Sequence, residues 1–276
     1  MKKLLFALTI LCTANITTAQ LKMPAPSPTQ TIKQDFALGS IELTYSRPSI
    51  KGRKIFGDLV PYNAVWRTGA NAATIIKFND VVEIGGKKID TGSYALYSIP
   101  NDGSWEIILN KGITNWGSDG YKQSDDVVRF KVNTMKMRDA EESFTMQFAN
   151  IKPESCELHI MWDKTVVAIP IYALIKDRMR ASLEKAMMGD KKPFWNAAQF
   201  YNEYDKNSKK ALESINAAVE ENPKAYNMWI YKAKIERDLG DKKAAMASSQ
   251  KSLALAREAK NEDYVKMNED LMKKLK

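Results

Sequence analysis

The sequence predicts an α+β protein of two separate modules, an all-β antiparallel sandwich or jelly-roll-like domain followed by an α-helical hairpin-repeat domain. Up to Ile171, short apolar segments alternate with polar residues at a period of two, as in half-buried strands. From residue 173 the composition changes to alanine, lysine, glutamate and methionine, which is typical of solvated amphipathic helices. A chain of 276 residues also exceeds what one compact core usually organises. We therefore predict a β domain over 31–172 and a helical domain over 173–276.

The amino-terminal residues 1–19 have the features of a signal peptide. They combine a positively charged start, an apolar run over Leu4–Cys12 and small residues before the predicted cleavage site after Ala19. The apolar run is much shorter than the roughly 20 residues that a membrane-spanning helix needs. We therefore predict an exported protein, periplasmic or secreted, with no membrane span. The proline-rich segment 20–30 is predicted to be an extended lead-in.

The cysteine content and the charge narrow the classes of function. Removal of the signal peptide leaves Cys156 as the only cysteine, so no intramolecular disulfide is predicted. The net charge of +9 includes Lys2 and Lys3, and their loss lowers it to +7. This charge is spread along the chain rather than concentrated with aromatic residues on one face, so we expect no nucleic-acid partner.

The β domain is predicted from alternation and from turn signals. About ten strands are expected, and the clearest alternation places the following side chains on a buried face: Ile41, Leu43 and Tyr45; Phe144, Met146 and Phe148; Leu158, Ile160 and Trp162. The hairpin turns are predicted at Asn79-Asp80, Gly85-Gly86, Asn101-Asp102-Gly103 and Trp162-Asp163-Lys164.

The helical domain is predicted to contain six helices. Gly189 and Gly240 end helices, Pro193 opens one, and Ser208 and Asp241 are the predicted amino-terminal caps. The predicted spans are Lys176–Met188, Phe194–Tyr204, Lys209–Glu221, Ala225–Leu239, Lys242–Ala259 and Glu262–Lys276.

Several helical positions repeat after 34 residues. The repeating pairs are Trp195 and Trp229, Ala211 and Ala245, Ala218 and Ser252, and Val219 and Leu253. The first copy resembles the tetratricopeptide pattern at Trp195, Ala198, Ala211, Ile215, Ala218 and Pro223. The second copy departs from this pattern at Lys232, Ser249 and Arg257. We predict two tetratricopeptide-like units, with the Lys176 and Glu262 helices as caps.

Few residues form a pattern that is typical of a catalytic or metal site. His159 is the only histidine, and without a second histidine or a cysteine cluster no ordinary zinc site is predicted. No phosphate-binding glycine loop, calcium loop or dinucleotide fingerprint is present, so no cofactor is predicted. The loop carboxylates of Asp58, Asp119 and Asp126 are the candidates if the protein is a hydrolase.

The long connection that follows Ser46 is rich in residues used for binding. It reads SRPSIKGRKIFGDLVPYNAVWRTGAN and contains Arg47, Arg53, Trp66, Arg67 and Asn71. Arginine offers forked donors for carboxylate, phosphate or sulfate, and tryptophan offers a flat apolar face. In one interpretation these residues line a binding pocket. In the other, the arginines hold loop carbonyls and Trp66 closes one end of the sandwich.

The same segment, with GSYALYSIP, WEIILNKG, the Trp116-Gly117 pair, Tyr121 and DVVRF, resembles the bacterial family named domain of unknown function 2911. The resemblance covers roughly Met23 to Ile171. It implies an exported β domain, often followed by helices, and it supplies no catalytic residues. The recurring positions of that family correspond to Arg47, Pro48, Gly52, Arg53, Gly57, Trp66, Arg67, Gly69, Asn71, Asn110, Trp116 and Arg129 in this sequence.

Three functions remain open at this point. The leading hypothesis is a non-enzymatic envelope protein whose β domain binds a polar or anionic small molecule or glycan, and whose helical tail contacts a protein partner. The alternatives are a hydrolase that acts on an envelope glycan or ester, and a purely structural assembly protein. The predicted ligand-binding residues are Arg47, Arg53, Trp66, Arg67, Asn71, Asn110, Trp116 and Arg129.

Overall fold

The computed structural model describes residues 23–276, which form nine strands followed by six α-helices. This order confirms the predicted α+β class. The predicted signal peptide, its cleavage site after Ala19 and the first residues of the predicted lead-in lie outside the described residues.

The nine strands form one antiparallel sheet. Their order across the sheet is β1-β2-β3-β6-β7-β8-β9-β4-β5. The strands are β1 (Thr29–Phe36), β2 (Gly39–Ser46), β3 (Thr74–Phe78), β4 (Val82–Ile84), β5 (Lys87–Ile89), β6 (Gly92–Pro100), β7 (Ser104–Asn110), β8 (Asp126–Ala149) and β9 (Ser155–Ala173). Because Thr29 already pairs with Ser46, β1 begins inside the predicted lead-in.

The sheet folds over so that strands that are not neighbours share one hydrophobic core. The Tyr45 hydroxyl on β2 accepts a hydrogen bond from the backbone N–H of Met146 on β8 at 2.9 Å, although β2 and β8 do not pair. Leu43, Phe144 and Trp162 are all buried in this core. The side chains predicted from alternation therefore do face the core, as a period of two requires.

Two of the four predicted hairpin turns are confirmed, and the other two are wrong because they do not join paired strands. Gly85-Gly86 joins β4 to β5, and Asn101-Asp102-Gly103 joins β6 to β7. Trp162-Asp163-Lys164 lies inside β9, where Asp163 has a positive φ of 51° and the register with β8 shifts. A bulge and a turn both favour residues that accept a left-handed backbone, so their local signals are alike. Asn79-Asp80 connects β3 to β4, which do not pair with each other.

The helical part follows β9 directly. It comprises α1 (Lys176–Met187), α2 (Phe194–Gln199) extended by a π-helical turn (Phe200–Tyr204), α3 (Ser208–Glu221), α4 (Tyr226–Asp238), α5 (Lys242–Glu258) and α6 (Glu262–Leu275). Asp241 caps α5 as predicted, because its side chain accepts a hydrogen bond from the Ala244 N–H. The cap of α3 is Asn207 rather than Ser208, since its side chain accepts from the Lys210 N–H at 3.1 Å. Asparagine caps a helix as well as serine does, so the sequence alone does not show which of these two adjacent residues is the cap.

The helices pack as consecutive neighbours along the chain. The repeat-related positions Ala211, Ala245, Ala218 and Ser252 are all buried, so small residues stand where the helices approach each other. The tetratricopeptide-like assignment stays a prediction. Among residues 23–276 the structure contains no helix with the length and apolar character needed to cross a membrane.

Helix α1 is attached to the β-rich part by an apolar and an ionic contact. Ile175, just before α1, is buried in the core of the sheet. Arg178 pairs with Asp80, whose side chain is only 3% exposed and also accepts the Leu38 N–H at 3.0 Å. The helical part therefore begins in contact with the turns at one end of the sheet.

Candidate functional site

The long connection between β2 and β3 is an ordered segment that packs against the sheet. The Phe144 N–H donates to the Pro48 carbonyl at 2.8 Å, and the Ile50 N–H donates to the Glu142 carbonyl at 2.9 Å. Ile55 and Val60 are buried in the core. These contacts fix the segment that carries most of the predicted binding residues.

One cavity of about 370 Å³ opens between this connection and the loop that joins β7 to β8. Its lining brings together five of the eight predicted ligand-binding residues. They are Arg53, Trp66, Arg67, Asn71 and Trp116. The remainder of the lining includes Leu59 and Val60, so the cavity has both an apolar and a cationic wall.

The two arginines give the cavity a positive charge. The Arg67 Nη1 donates to the Asn71 carbonyl at 2.8 Å. Arg53 donates through Nε to the Ile50 carbonyl at 3.0 Å and through Nη2 to the Ser49 carbonyl at 2.6 Å. A guanidinium has five N–H donors, so both arginines keep donors that these carbonyls do not use. The described lining contains no carboxylate, and within residues 23–276 neither arginine forms a salt bridge.

The position of the Arg67 guanidinium depends on Gly117 in the β7–β8 loop. Gly117 has a φ of +68°, which favours glycine. A Cβ atom at this position would lie 2.7 Å from Nη1 and 3.1 Å from Cζ of Arg67. The guanidinium therefore lies directly against a backbone that has no side chain.

Trp66 and Asn71 form fixed walls of the cavity. Trp66 is 8% exposed, stacks on Trp162 at 6.1 Å between ring centroids, and donates through Nε1 to the Gly69 carbonyl at 3.0 Å. Asn71 donates through Nδ2 to the Ser27 carbonyl at 3.1 Å and to the Ser46 hydroxyl at 3.3 Å. Both side chains have structural partners already, so they shape the cavity rather than offer it free donors.

Arg47 does not line this cavity. The expected convergence of Arg47 with Arg67 and Trp66 is not observed, because the Arg47 side chain is directed to β8. Its Nε donates to the Phe144 carbonyl at 3.1 Å and its Nη2 donates to the Thr145 hydroxyl at 2.7 Å. Arg47 thus joins the end of β2 to a strand with which β2 does not pair.

Asn110 and Arg129 also lie outside the cavity, in a polar cluster at the base of the β7–β8 loop. Arg129 forms ion pairs with Glu106 and Asp126 and donates to the Tyr121 hydroxyl. Burial, followed by the hydrogen bond to Asp126, raises the pKa of Tyr121 to about 12. The sequence predicts that Trp116 or Arg129 closes the cavity, and the structure places Trp116, not Arg129, in the lining.

Asn110 is the fully buried member of this cluster. Its Nδ2 donates to the Lys122 carbonyl at 2.9 Å and to Asp126 Oδ1 at 2.8 Å, while its Oδ1 accepts the Gly112 N–H at 2.8 Å. The bonds to Lys122 and Asp126 connect the two ends of the β7–β8 loop.

The carboxylates considered for a hydrolase do not meet in the cavity. Asp58 and Asp119 are exposed and absent from its lining, and Asp126 is bonded to Tyr121, Asn110 and Arg129. His159 lies on β9 with Nε2 2.7 Å from Glu157 Oε2, and this hydrogen bond lowers the pKa of the glutamate. In the described part of the chain no three His, Cys, Asp or Glu side chains are grouped closely enough to share a metal ion.

Cys156 is buried inside β9. Burial raises the pKa of its thiol to about 12, so the thiolate that would react as a nucleophile is disfavoured at neutral pH.

Gly117 shapes the site and is one of the residues there that sequence reasoning did not identify. The Trp116-Gly117 pair is visible in the sequence, but a glycine beside a tryptophan is equally typical of an ordinary turn. Its contact with Arg67 arises because the β7–β8 loop packs on a segment about 50 residues earlier in the chain. No local pattern contains that information.

The comparisons with known proteins agree with the extent of the β-rich part. A family model described as "Protein of unknown function (DUF2911)" matches residues 27–171, just over half of the chain. A search of curated proteins finds no match. The matched range begins just before β1 and ends within β9, so it contains every residue of the cavity lining.

Proposed function

Because the chain belongs to the DUF2911 family of proteins of unknown function, we propose its function from the site itself: the β-rich part binds a small anionic ligand in the cavity and performs no reaction on it. The observation that carries this proposal is the presence of Arg53 and Arg67, with N–H donors to spare, in a cavity that no described carboxylate lines.

The chemistry of the cavity favours an anion of small-molecule size. A guanidinium that is partly removed from water is usually compensated by an acidic partner, because removing a charge from water without compensation is costly. Arg67 is half-buried, and among the described residues only a carbonyl compensates its charge, so an anionic ligand would supply what the lining lacks. The volume of about 370 Å³ falls within the range of about 300–1,000 Å³ that is typical of small-molecule sites.

The decisive test is the Arg67→Ala variant. We expect it to weaken the binding of inorganic phosphate, sulfate or acetate by about 10- to 100-fold, since hydrogen bonds to charged groups contribute about 1.5–3 kcal/mol. Its free energy of unfolding should change by less than about 1 kcal/mol, as for a surface substitution. Isothermal titration calorimetry and thermal melts measure the two quantities.

Arg138→Ala is the matched control for this test, because Arg138 is exposed on β8 and is not part of the lining. It should bind each anion as the unaltered protein does. A loss of about 1–3 kcal/mol of stability in Arg67→Ala without any change in anion binding would show that Arg67 only satisfies loop carbonyls, and the proposal would be wrong.

A second variant, Gly117→Ala, tests whether the position of the Arg67 guanidinium matters. The new Cβ atom would displace the guanidinium, so anion binding should weaken. Alanine at a positive φ costs about 1–2 kcal/mol in its own right. Gly103→Ala controls for this cost, because Gly103 has a φ of +83° and no atom within 4 Å of its added Cβ.

We expect both glycine variants to lose similar stability and only Gly117→Ala to lose anion affinity. Equal anion affinities in the two variants would mean that the contact between Gly117 and Arg67 has no part in binding. Chemical denaturation and calorimetric titration of both proteins make the comparison.

The proposal extends to the location of the protein and to its helical tail. Export to the periplasm or the medium rests on the signal-peptide pattern of residues 1–19. Contact with a protein partner through the helices rests on the stacked helical hairpins, whose faces suit extended segments of other proteins. The hydrolase alternative receives no support from the cavity, where no described carboxylate is available as acid or base.

A further inference from the structure

The indole of Trp116 is exposed at the rim of the cavity in a way that no other tryptophan of the chain is. It is 66% exposed, whereas Trp66, Trp105 and Trp162 are buried and the remaining two, both in the helical part, are half-buried. Large aromatic side chains normally bury most of their surface, and an exposed one beside a cavity is typical of a ligand contact.

The exposure of Trp116 is not the result of a loosely attached loop. On either side of the indole, Asn115 donates through Nδ2 to the Tyr97 hydroxyl at 3.1 Å, and Ser118 donates through its hydroxyl to the Val65 carbonyl at 3.0 Å. The Ala73 N–H also donates to the Asn115 carbonyl at 3.3 Å. The backbone that carries the indole is therefore fixed on the sheet while the indole itself stays uncovered.

Hydrogen bonds and ion pairs also fix the base of the same loop. The Lys111 N–H donates to the Asp125 carbonyl at 3.0 Å. The cluster around Arg129 and the buried Asn110 joins the two ends of the loop, as described above. Because these bonds fix the loop, the indole of Trp116 stays in one position, and the entropy cost of ordering it on binding is reduced.

The indole shares the cavity wall with the Arg67 guanidinium. Trp116 and Arg67 both line the cavity, and the residue after Trp116 is the glycine against which the guanidinium lies. A flat apolar face and a cation with free donors are thus adjacent. A ligand that uses both must carry a ring close to its negative charge.

We propose, on the basis of the anion site described under Proposed function, that the ligand is a cyclic compound with a flat ring and an attached phosphate or carboxylate. Its ring stacks on Trp116, and its anionic group accepts hydrogen bonds from Arg67 and Arg53. Nothing is transferred or cleaved in this interaction. The site is a preformed receptor for a ring-bearing anion.

The test compares phenyl phosphate with methyl phosphate, which carry the same anionic group and differ in the ring. We expect the unaltered protein to bind phenyl phosphate about tenfold or more tightly than methyl phosphate, as ring stacking on an aromatic side chain requires. Trp116→Ala should remove this preference, because it should weaken the binding of phenyl phosphate much more than the binding of methyl phosphate. Trp116→Phe should restore a large part of it. Benzoate against acetate repeats the comparison for a carboxylate.

A spectroscopic measurement accompanies the titrations. Because Trp116 is the most exposed tryptophan, acrylamide should quench its fluorescence more strongly than that of the others, and saturating phenyl phosphate should reduce this quenching. Methyl phosphate should leave this quenching unchanged. The exposure of the side chain means that Trp116→Ala should fold and melt as the unaltered protein does.

The outcomes separate this inference from the proposed function. If both phosphates bind the unaltered protein equally well, the ring assignment is wrong and the anion site stands. If neither phosphate and neither carboxylate binds, both proposals are wrong. A preference for phenyl phosphate that persists in Trp116→Ala would place the ring elsewhere and overturn the role of Trp116.

Discussion

The Trp66→Ala variant is expected to lose about 3–5 kcal/mol of its free energy of unfolding, the range for removing a large buried aromatic side chain. The indole packs in the core against four other rings. It stacks on Trp162 and makes edge contacts with Phe144 at 5.3 Å, Trp105 at 5.8 Å and Phe56 at 6.2 Å between ring centroids. The variant would also lose the hydrogen bond to Gly69. Urea denaturation followed by near-ultraviolet circular dichroism measures the loss.

Trp116→Ala is the control, because the same substitution is made at an exposed site in the same cavity. It should change the free energy of unfolding by less than about 1 kcal/mol. A loss below about 1 kcal/mol in Trp66→Ala as well would mean that the aromatic cluster does not support the fold. The same near-ultraviolet transition is compared in both variants.

The two tryptophans that line the cavity differ in burial and therefore in their expected contribution to stability. Trp66 belongs to the hydrophobic core and forms a wall of the cavity. Trp116 is exposed and contributes almost nothing to the core. Trp66 is thus part of the core, as the structural interpretation of the long connection predicts, while the binding interpretation, which depends on the unused donors of Arg53 and Arg67, stays a prediction.

The strand pattern could be predicted because burial along a strand is a local property. The alternation that marks Ile41, Leu43 and Tyr45 requires only that one face of β2 is covered, whatever covers it. The bulge at Asp163 could not be distinguished from a turn, because both need a residue that accepts a positive φ. The decision between them is made by the pairing of β9 with the long strand β8.

The composition of the cavity could be predicted only in part, for a similar reason. The sequence places Arg47, Arg53 and Arg67 in one segment and does not distinguish which of them faces the cavity. Arg47 turns away because the Phe144 carbonyl and the Thr145 hydroxyl, about 100 residues later, lie beside it. Arg67 faces the cavity because Gly117 leaves room for its guanidinium. These contacts depend on the fold of the whole sheet.

The Arg129→Met variant is expected to lose about 2–3 kcal/mol of stability, because it leaves two largely buried carboxylates and a phenol without their common donor. Asp126 and Glu106 have side-chain exposures of only 10% and 26%. Methionine keeps much of the apolar stem, so the loss reports mainly on the ion pairs. Urea denaturation measures it, with Arg138→Met, on the exposed surface of the same strand, as the control.

The same variant decides whether Arg129 binds the ligand, as the sequence suggested. Because Arg129 does not line the cavity and its donors are directed to Glu106, Asp126 and Tyr121, methyl phosphate should bind Arg129→Met as tightly as it binds the unaltered protein. Phenyl phosphate reports separately on the loop, since a loop base that loosens would displace Trp116 and reduce the preference for the ring. A loss of methyl phosphate binding with unchanged stability would instead place Arg129 in the site, and the division between a binding cavity and a supporting cluster would be wrong.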